Sequence, residues 1–296
     1  MLRHCVAVTI TVVSLVSGLE ADETKNIKVG IIGLDTSHVT AFTGVLNRPD
    51  NQGDLAGVRV VAAFPGGSPD IPASHDRVAG FTKELNDKYG VEIVDSIEAL
   101  LGKVDAVLLE SVDGRPHLEQ ARPVLAAKKP LFIDKPVAAS LADAMEIFRL
   151  SEASGTPCFS SSSLRFSPGI RGMRDNEKVG DVLGCDAYSP CSLEEHHPDL
   201  FWYGIHGVET LFTIMGPGCV SVARAQTKDT EFVTGVWNEG RIGTFRGMRT
   251  GGGYGATVFG TKGISPSGGY GGYEPLLVEI ARFFKTGKPP VSAQET

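Results

Sequence analysis

Val29-Gly-Ile-Ile-Gly33-Leu-Asp-Thr-Ser-His38 begins as a short apolar run, turns at a glycine and passes into polar residues that suit the start of a helix. A strand buried on both faces has this continuous apolar character in place of alternation. The run extends from Ile27 to Gly33, and Val58 to Phe64, Val104 to Leu109 and Pro130 to Asp134 read the same way. Between and after these runs, Thr36 to Asn47, Asp76 to Tyr89, Ser96 to Leu101, His117 to Ala127 and Leu141 to Ser154 carry apolar residues at three and four spacing. Gly155-Thr-Pro157 stops the last of them. Strands alternating with helices through right-handed crossovers require a parallel sheet covered on both faces. Residues 26–160 are therefore predicted to form a Rossmann-type, doubly wound α/β domain.

Beyond residue 160 the pattern changes. Strand-like stretches at 182–190, 219–225, 231–237, 241–248 and 254–260 follow one another through turn signals, with helices expected at 203–215 and 275–286. Residues 161–296 are predicted to form an α+β domain with a mostly antiparallel sheet. Ser292-Ala-Gln-Glu295 has the form of a capping box that would begin a further helix, so a C-terminal truncation is part of the expectation.

The chain has 296 residues, 42% hydrophobic and 21% charged, enough for more than one core. Its formal net charge of -7 opposes a phosphate backbone, which excludes nucleic acid as a natural partner. Residues 1–21 read as a cleaved secretory signal: Arg3 and His4, then Cys5 to Gly18 without charge, then Ala21 before Asp22. That uncharged run is shorter than the ~20 residues that span a bilayer, so no stable membrane anchor is expected. The expected location is periplasmic or extracellular. Cys158, Cys185, Cys191 and Cys219 remain after cleavage. They form no Cys-x-x-Cys, and isolated buried thiols are preferred to a Cys185 to Cys191 bridge.

In a doubly wound sheet, ligands bind outside the carboxyl ends of the strands. Gly33 to His38, Pro65-Gly-Gly-Ser68, Glu110 to His117 and Asp134-Lys-Pro136 all fall there. Val29-Gly-Ile-Ile-Gly33, His117 after the Val104 to Leu109 strand, Asp134-Lys-Pro136 with Val137-Ala138, and Arg165-Phe166 are similar in order and spacing to the Gfo/Idh/MocA family of sugar oxidoreductases. The resemblance covers residues 27–215 well and the glycine-rich remainder loosely. It implies hydride transfer between a sugar or polyol and NAD or NADP, with Lys135 and His206 at the reacting carbon. It also implies a second domain that closes over the substrate and mediates homo-oligomer contacts.

The cofactor loop departs from the family fingerprint, which places glycine where Asp35 and His38 stand. A carboxylate facing a diphosphate at ~4 Å is repelled by roughly 1–4 kcal/mol, depending on the effective dielectric. The other role open to Asp35 is that of a helix cap with Thr36 and Ser37. Gly33, Asp35, Thr36, Ser37, His38, Ser68, Glu110, His117 and Lys135 are the candidate cofactor contacts. Ser68 with Arg77 suits a 2'-phosphate or, equally simply, a turn hydroxyl and a solvated charge.

Lys135 suits a donor to the substrate oxygen, with an ion pair to Asp134 or Glu110 as the structural alternative. On a helix, Trp202, His206, Glu209 and Thr210 share one face, and His206 has the chemistry of a general acid/base. The family's aspartate four residues before this histidine is Trp202 here, so Asp199 or Glu209 would have to replace it. Arg165, Asp199, Trp202 and Glu209 are the candidate substrate contacts. His196-His197 lacks metal-ligand spacing, and no metal is expected. Two other functions fit the same residues: an exported carbohydrate-binding protein that has lost redox chemistry, and a His- or metal-dependent lyase or hydrolase.

Overall fold

The computed structural model describes residues 26–296. The segment read as a secretory signal lies outside the described residues.

The first sheet contains β1 (Ile27–Ile32), β2 (Val58–Phe64), β3 (Glu92–Ile93), β4 (Ala106–Leu109), β5 (Leu131–Ile133) and β6 (Cys158–Ser160). All its pairings are parallel, in the order β3-β2-β1-β4-β5-β6. The order reverses between β1 and β4, and that switch point opens a crevice at the strands' carboxyl ends. The helices of this half are α1 (His38–Leu46), α2 (Pro72–Tyr89), α3 (Ile97–Leu101), α4 (His117–Ala126) and α5 (Leu141–Ser154). One apolar cluster joins Val29, Ile31 and Val60 to Val39, Phe42 and Leu85 of α1 and α2. The other joins Ile32, Val107 and Leu131 to Leu100, Ala121, Val124 and Ile147 of α3, α4 and α5. Apolar side chains thus leave both faces of the sheet, as the uninterrupted runs require.

After α6 (Pro168–Arg171), the second sheet is built from β7 (Val182–Pro190), β8 (Cys219–Gln226), β9 (Thr230–Trp237), β10 (Ile242–Met248), β11 (Gly255–Gly260) and β12 (Ile264–Pro266). Its order is β12-β11-β7-β10-β9-β8, antiparallel except for the β7/β10 pair. Helix α7 (Ile205–Met215) lies on this sheet through Leu211, Ile214 and Met215, against Trp237 and Phe245. Close approach requires Gly207: a Cβ there would stand 2.2 Å from the Phe245 ring and 2.7 Å from Ser189 Oγ.

Three features differ from expectation. The strands β3 and β6, two and three residues long, carry too few residues to show a pattern. The helix expected at 36–47 begins at His38, because Thr36 and Ser37 belong to the loop before it. Helix α8 (Glu274–Thr286) does not stay with the second sheet. Its Leu276, Leu277, Ile280 and Phe283 pack into the core of the first domain, where Phe283 meets Phe159 at 5.0 Å. A division at residue 160 therefore separates the two sheets, while the chain crosses back to complete the first core. Cys158, Cys185 and Cys191 are buried free thiols, and Cys219 is a free thiol with partial exposure. Among the described residues, no helix is long and apolar enough to cross a membrane.

Candidate active site

The loop after β1 is shaped by Gly33, whose φ is +89°. A Cβ on it would lie 2.5 Å from the Ser111 backbone nitrogen, so only glycine lets this turn rest on the loop after β4. Asp35 turns inward, fully buried. It accepts from Ser74 Oγ at 2.6 Å and from the Val112 backbone N–H at 2.9 Å. Burial raises its pKa, with these hydrogen bonds opposing. The carboxylate that would have repelled a diphosphate is thus a brace between three loops. Asp35→Gly is expected to leave nucleotide affinity unimproved and to lower stability by about 2 kcal/mol, read from the midpoint of a denaturant titration.

The far end of the loop reaches the crevice. Ser37 is exposed at the α1 N-cap and makes no side-chain bond to its own helix. Its hydroxyl stands at the start of α1, the end of a helix that favours an anionic group, although the N–H groups of His38 and Val39 already donate to Thr36. Thr36 is buried behind it. His38 turns toward the end of β5, where its Nδ1 lies 2.6 Å from Asp134 Oδ2. Glu110, at the end of β4, is fully buried, and neither carboxylate oxygen has a partner among the described residues. Burial first, then the charges of Asp134 and Asp35, push its pKa well above the usual carboxylate range. Burial works the same way on Asp134, but His38 and Lys135 outweigh it and hold Asp134 below that range.

Lys135 follows directly and forms no ion pair with Asp134 or Glu110; its Nζ instead lies over the Tyr203 ring, 5.5 Å from the centroid. Tyr203 meets His206 edge-on at 5.2 Å, and Tyr254 approaches the same imidazole at 5.7 Å. Contacts therefore run from His38 through Asp134 and Lys135 to Tyr203 and His206, tying the β1 loop, the β5 loop and α7 to one site. His206 is nearly buried, and its Nδ1 is 2.7 Å from Ser162 Oγ. Its other ring nitrogen has no hydrogen-bond partner among the described residues. Burial, then the positive charges of Lys135 and His38, lower its pKa well below 6.5, so the ring is neutral at neutral pH.

Glu209 does not orient His206 directly. It accepts from Ser161 Oγ at 2.9 Å, from the Ser162 backbone N–H at 2.6 Å and from Arg165 Nε at 2.7 Å. It thereby fixes the segment whose Ser162 holds the imidazole. Arg165 also pairs with Glu295 at 2.6 Å. Arg165 and Glu209 share with Lys135 a cavity of about 560 Å³, walled by Phe201, Ile205, Val208 and Phe212. His206 and residues 33–38 do not line that cavity; His206 faces the tyrosines.

The remaining candidates have other partners. His117 is sealed, with Nε2 2.8 Å from Ser111 O and Nδ1 3.2 Å from Val137 O, which braces two loops and leaves neither nitrogen for a cofactor. Ser68 gives its hydroxyl to Asp113 at 2.6 Å. Asp113 also receives Arg115, which reaches on to Asp70. Asp199 pairs with Arg224 at 2.6 Å, away from His206. Trp202 packs on His197 at 4.9 Å. His197 is held between Glu194 at 2.8 Å and Asp113 at 3.2 Å, a latch between the second domain and the β4 loop.

Sequence reasoning missed Ser162 and the tyrosines. Tyr254, Tyr270 and Tyr273 continue the aromatic row, and Tyr273 stacks edge-on against His38 at 4.8 Å. Burial raises the pKa of all three phenols, which remain hydrogen-bond donors. Their only signal was three tyrosines placed among glycines.

A two-domain dehydrogenase architecture, with a lysine and a histidine brought together beside the switch point of a Rossmann sheet, is the class defined by this geometry. Residues 27–161 match the model of the Gfo/Idh/MocA family, described as an oxidoreductase family with an NAD-binding Rossmann fold. No curated protein matches the chain. Among solved structures, the chain is similar to myo-inositol 2-dehydrogenase from Lactobacillus plantarum, with TM-score 0.72, 14% identity and coverage of 92% of this chain and 93% of that one. The apo scyllo-inositol dehydrogenase of Lactobacillus casei gives TM-score 0.72, 14% identity and 92% coverage of each. GenD2 from gentamicin A biosynthesis, solved in complex with NAD, gives TM-score 0.64 at 16% identity, covering 83% of this chain and 72% of that one. At such identities the likeness establishes the shared two-domain fold. The cofactor of the matched family fold is a nicotinamide dinucleotide, and the loop fits one: Asp35 has turned its carboxylate away, and Ser37 presents an exposed hydroxyl at the start of α1.

Proposed function

We propose that the protein is an NAD(P)-dependent dehydrogenase that oxidises a secondary alcohol of a sugar or cyclic polyol, or reduces the corresponding carbonyl. The observation that carries this reading is that Lys135 and His206 both lie against Tyr203. The loop 33–38 holds the dinucleotide, with Ser37 and the α1 terminus toward its diphosphate. The nicotinamide, when bound, supplies the acceptor or donor of hydride.

The chain's own residues handle the proton and the oxygen. Lys135 donates to the substrate oxygen and stabilises negative charge developing there as hydride leaves. His206, neutral because it is buried beside positive charges, takes the hydroxyl proton on its free ring nitrogen while Ser162 fixes the ring. Arg165 and Glu209 face the neighbouring cavity and suit hydrogen bonding to further hydroxyls. The protein acts after export, in the periplasm or outside the cell, and as a homo-oligomer.

The base form of His206 exists above its pKa. Because that pKa is lowered, alcohol oxidation is expected to stay active as pH falls through 6.5, with the acid limb of kcat/KM below that value. A limb at or above 6.5 contradicts the assignment. Calorimetric titration with NAD and with NADP tests the cofactor directly. Micromolar uptake of either supports the dehydrogenase, and sugar binding without nucleotide uptake supports a non-redox carbohydrate-binding protein.

A further inference from the structure

Glu110 is a fully buried carboxylate whose two oxygens have no donor among the described residues. Burying a carboxylate without a counter-charge or donors is strongly unfavourable, so a group in this position either carries a proton or faces a cation. The surroundings favour the cation. Asp134 and Asp35 add two carboxylates against the single ammonium of Lys135, which instead lies over Tyr203. His38 supplies an imidazole nitrogen at the same point. Ligand atoms of His38, Glu110 and Asp134 all lie within 4.8 Å of one another, so modest side-chain adjustment brings three of them around one ion.

We propose that His38, Glu110 and Asp134 form a site for one divalent transition-metal ion of the zinc or manganese class. One imidazole with two carboxylates is a donor set for those ions, harder than a thiolate site and softer than an all-oxygen calcium site. The three ligands come from the loops after β1, β4 and β5, so the ion ties together the three loops that meet at the switch point. It also places positive charge directly between the carboxylates of Glu110 and Asp134. The short His38 to Asp134 approach already fixes the ring toward the cluster. The site is distinct from the His196-His197 pair, whose partners are Glu194, Asp70 and Asp113. It does not rest on the dehydrogenase reading.

The test uses the full protein, stripped with chelator and titrated calorimetrically with zinc or manganese chloride alone, no nucleotide present. Metal content after dialysis is measured in parallel. One ion per chain is expected at micromolar or tighter affinity. Glu110→Gln, which keeps shape and removes charge, and His38→Gln should each weaken uptake at least a hundredfold, with unchanged circular dichroism. His196→Ala should bind as the wild type does. Absence of saturable uptake by the wild type overturns the site, and so does uptake that persists in Glu110→Gln and His38→Gln or disappears in His196→Ala. A repeat with NAD in chelator distinguishes the two readings, since nucleotide uptake there is independent of whether metal binds.

Discussion

His206→Asn should lower kcat by about a hundred- to ten-thousand-fold, the range lost with a general acid/base, while KM for the alcohol changes little. Asparagine is close in size and polar, so the Ser162 contact and the packing against Tyr203 and Tyr254 are largely preserved. What it removes is the nitrogen that accepts a proton. Ser162→Ala offers a graded comparison: the ring remains but its orientation is freed, and a loss of kcat smaller than that of His206→Asn is expected. Steady-state kinetics on both variants checks the pair, and wild-type kcat in His206→Asn ends the assignment.

Lys135→Met should lower kcat by roughly a hundred- to a thousand-fold, the scale measured when one donor to a developing oxyanion is lost. Methionine fills much the same space beside Tyr203, so the variant isolates the charge. A second effect accompanies the first. The ammonium is, after burial, the largest influence lowering the His206 pKa. Without it the acid limb of the pH profile moves upward, toward 6.5. A merely structural lysine would change stability or KM and leave that limb in place.

The sequence made much of the fold legible because the strands of the first sheet are apolar on both faces. Ile27–Ile32 and Ala106–Leu109 bury nearly every side chain, and no surface constraint interrupts their pattern. What stayed hidden depended on long-range choices. The apolar stripe of α8 announces a helix, but nothing in Leu276, Leu277, Ile280 or Phe283 says which of two cores receives it. The family's spacing pointed to Lys135 and His206, and both lie against Tyr203. The spacing said nothing of Ser162, 44 residues from His206, or of Asp134, 96 residues from His38. Asp35 reads locally as a charge facing a diphosphate or as a helix cap; its inward turn depends on Ser74 and Val112, which no local pattern connects to it. The glycine excess read as turns also positions Tyr254, Tyr270 and Tyr273, whose role appears only when the β11 region and the approach to α8 fold over the crevice.

The most direct measurement is transfer of a carbon-bound label. The purified protein is incubated with NAD or NADP and a panel of inositols and aldoses deuterated at each ring carbon, and the reduced nicotinamide is examined by mass spectrometry. Deuterium arriving on the nicotinamide from one ring position, and failing to arrive in His206→Asn and Lys135→Met, is the predicted result. A folded protein that takes up neither nucleotide, or one that transfers label equally well without both side chains, would contradict the account.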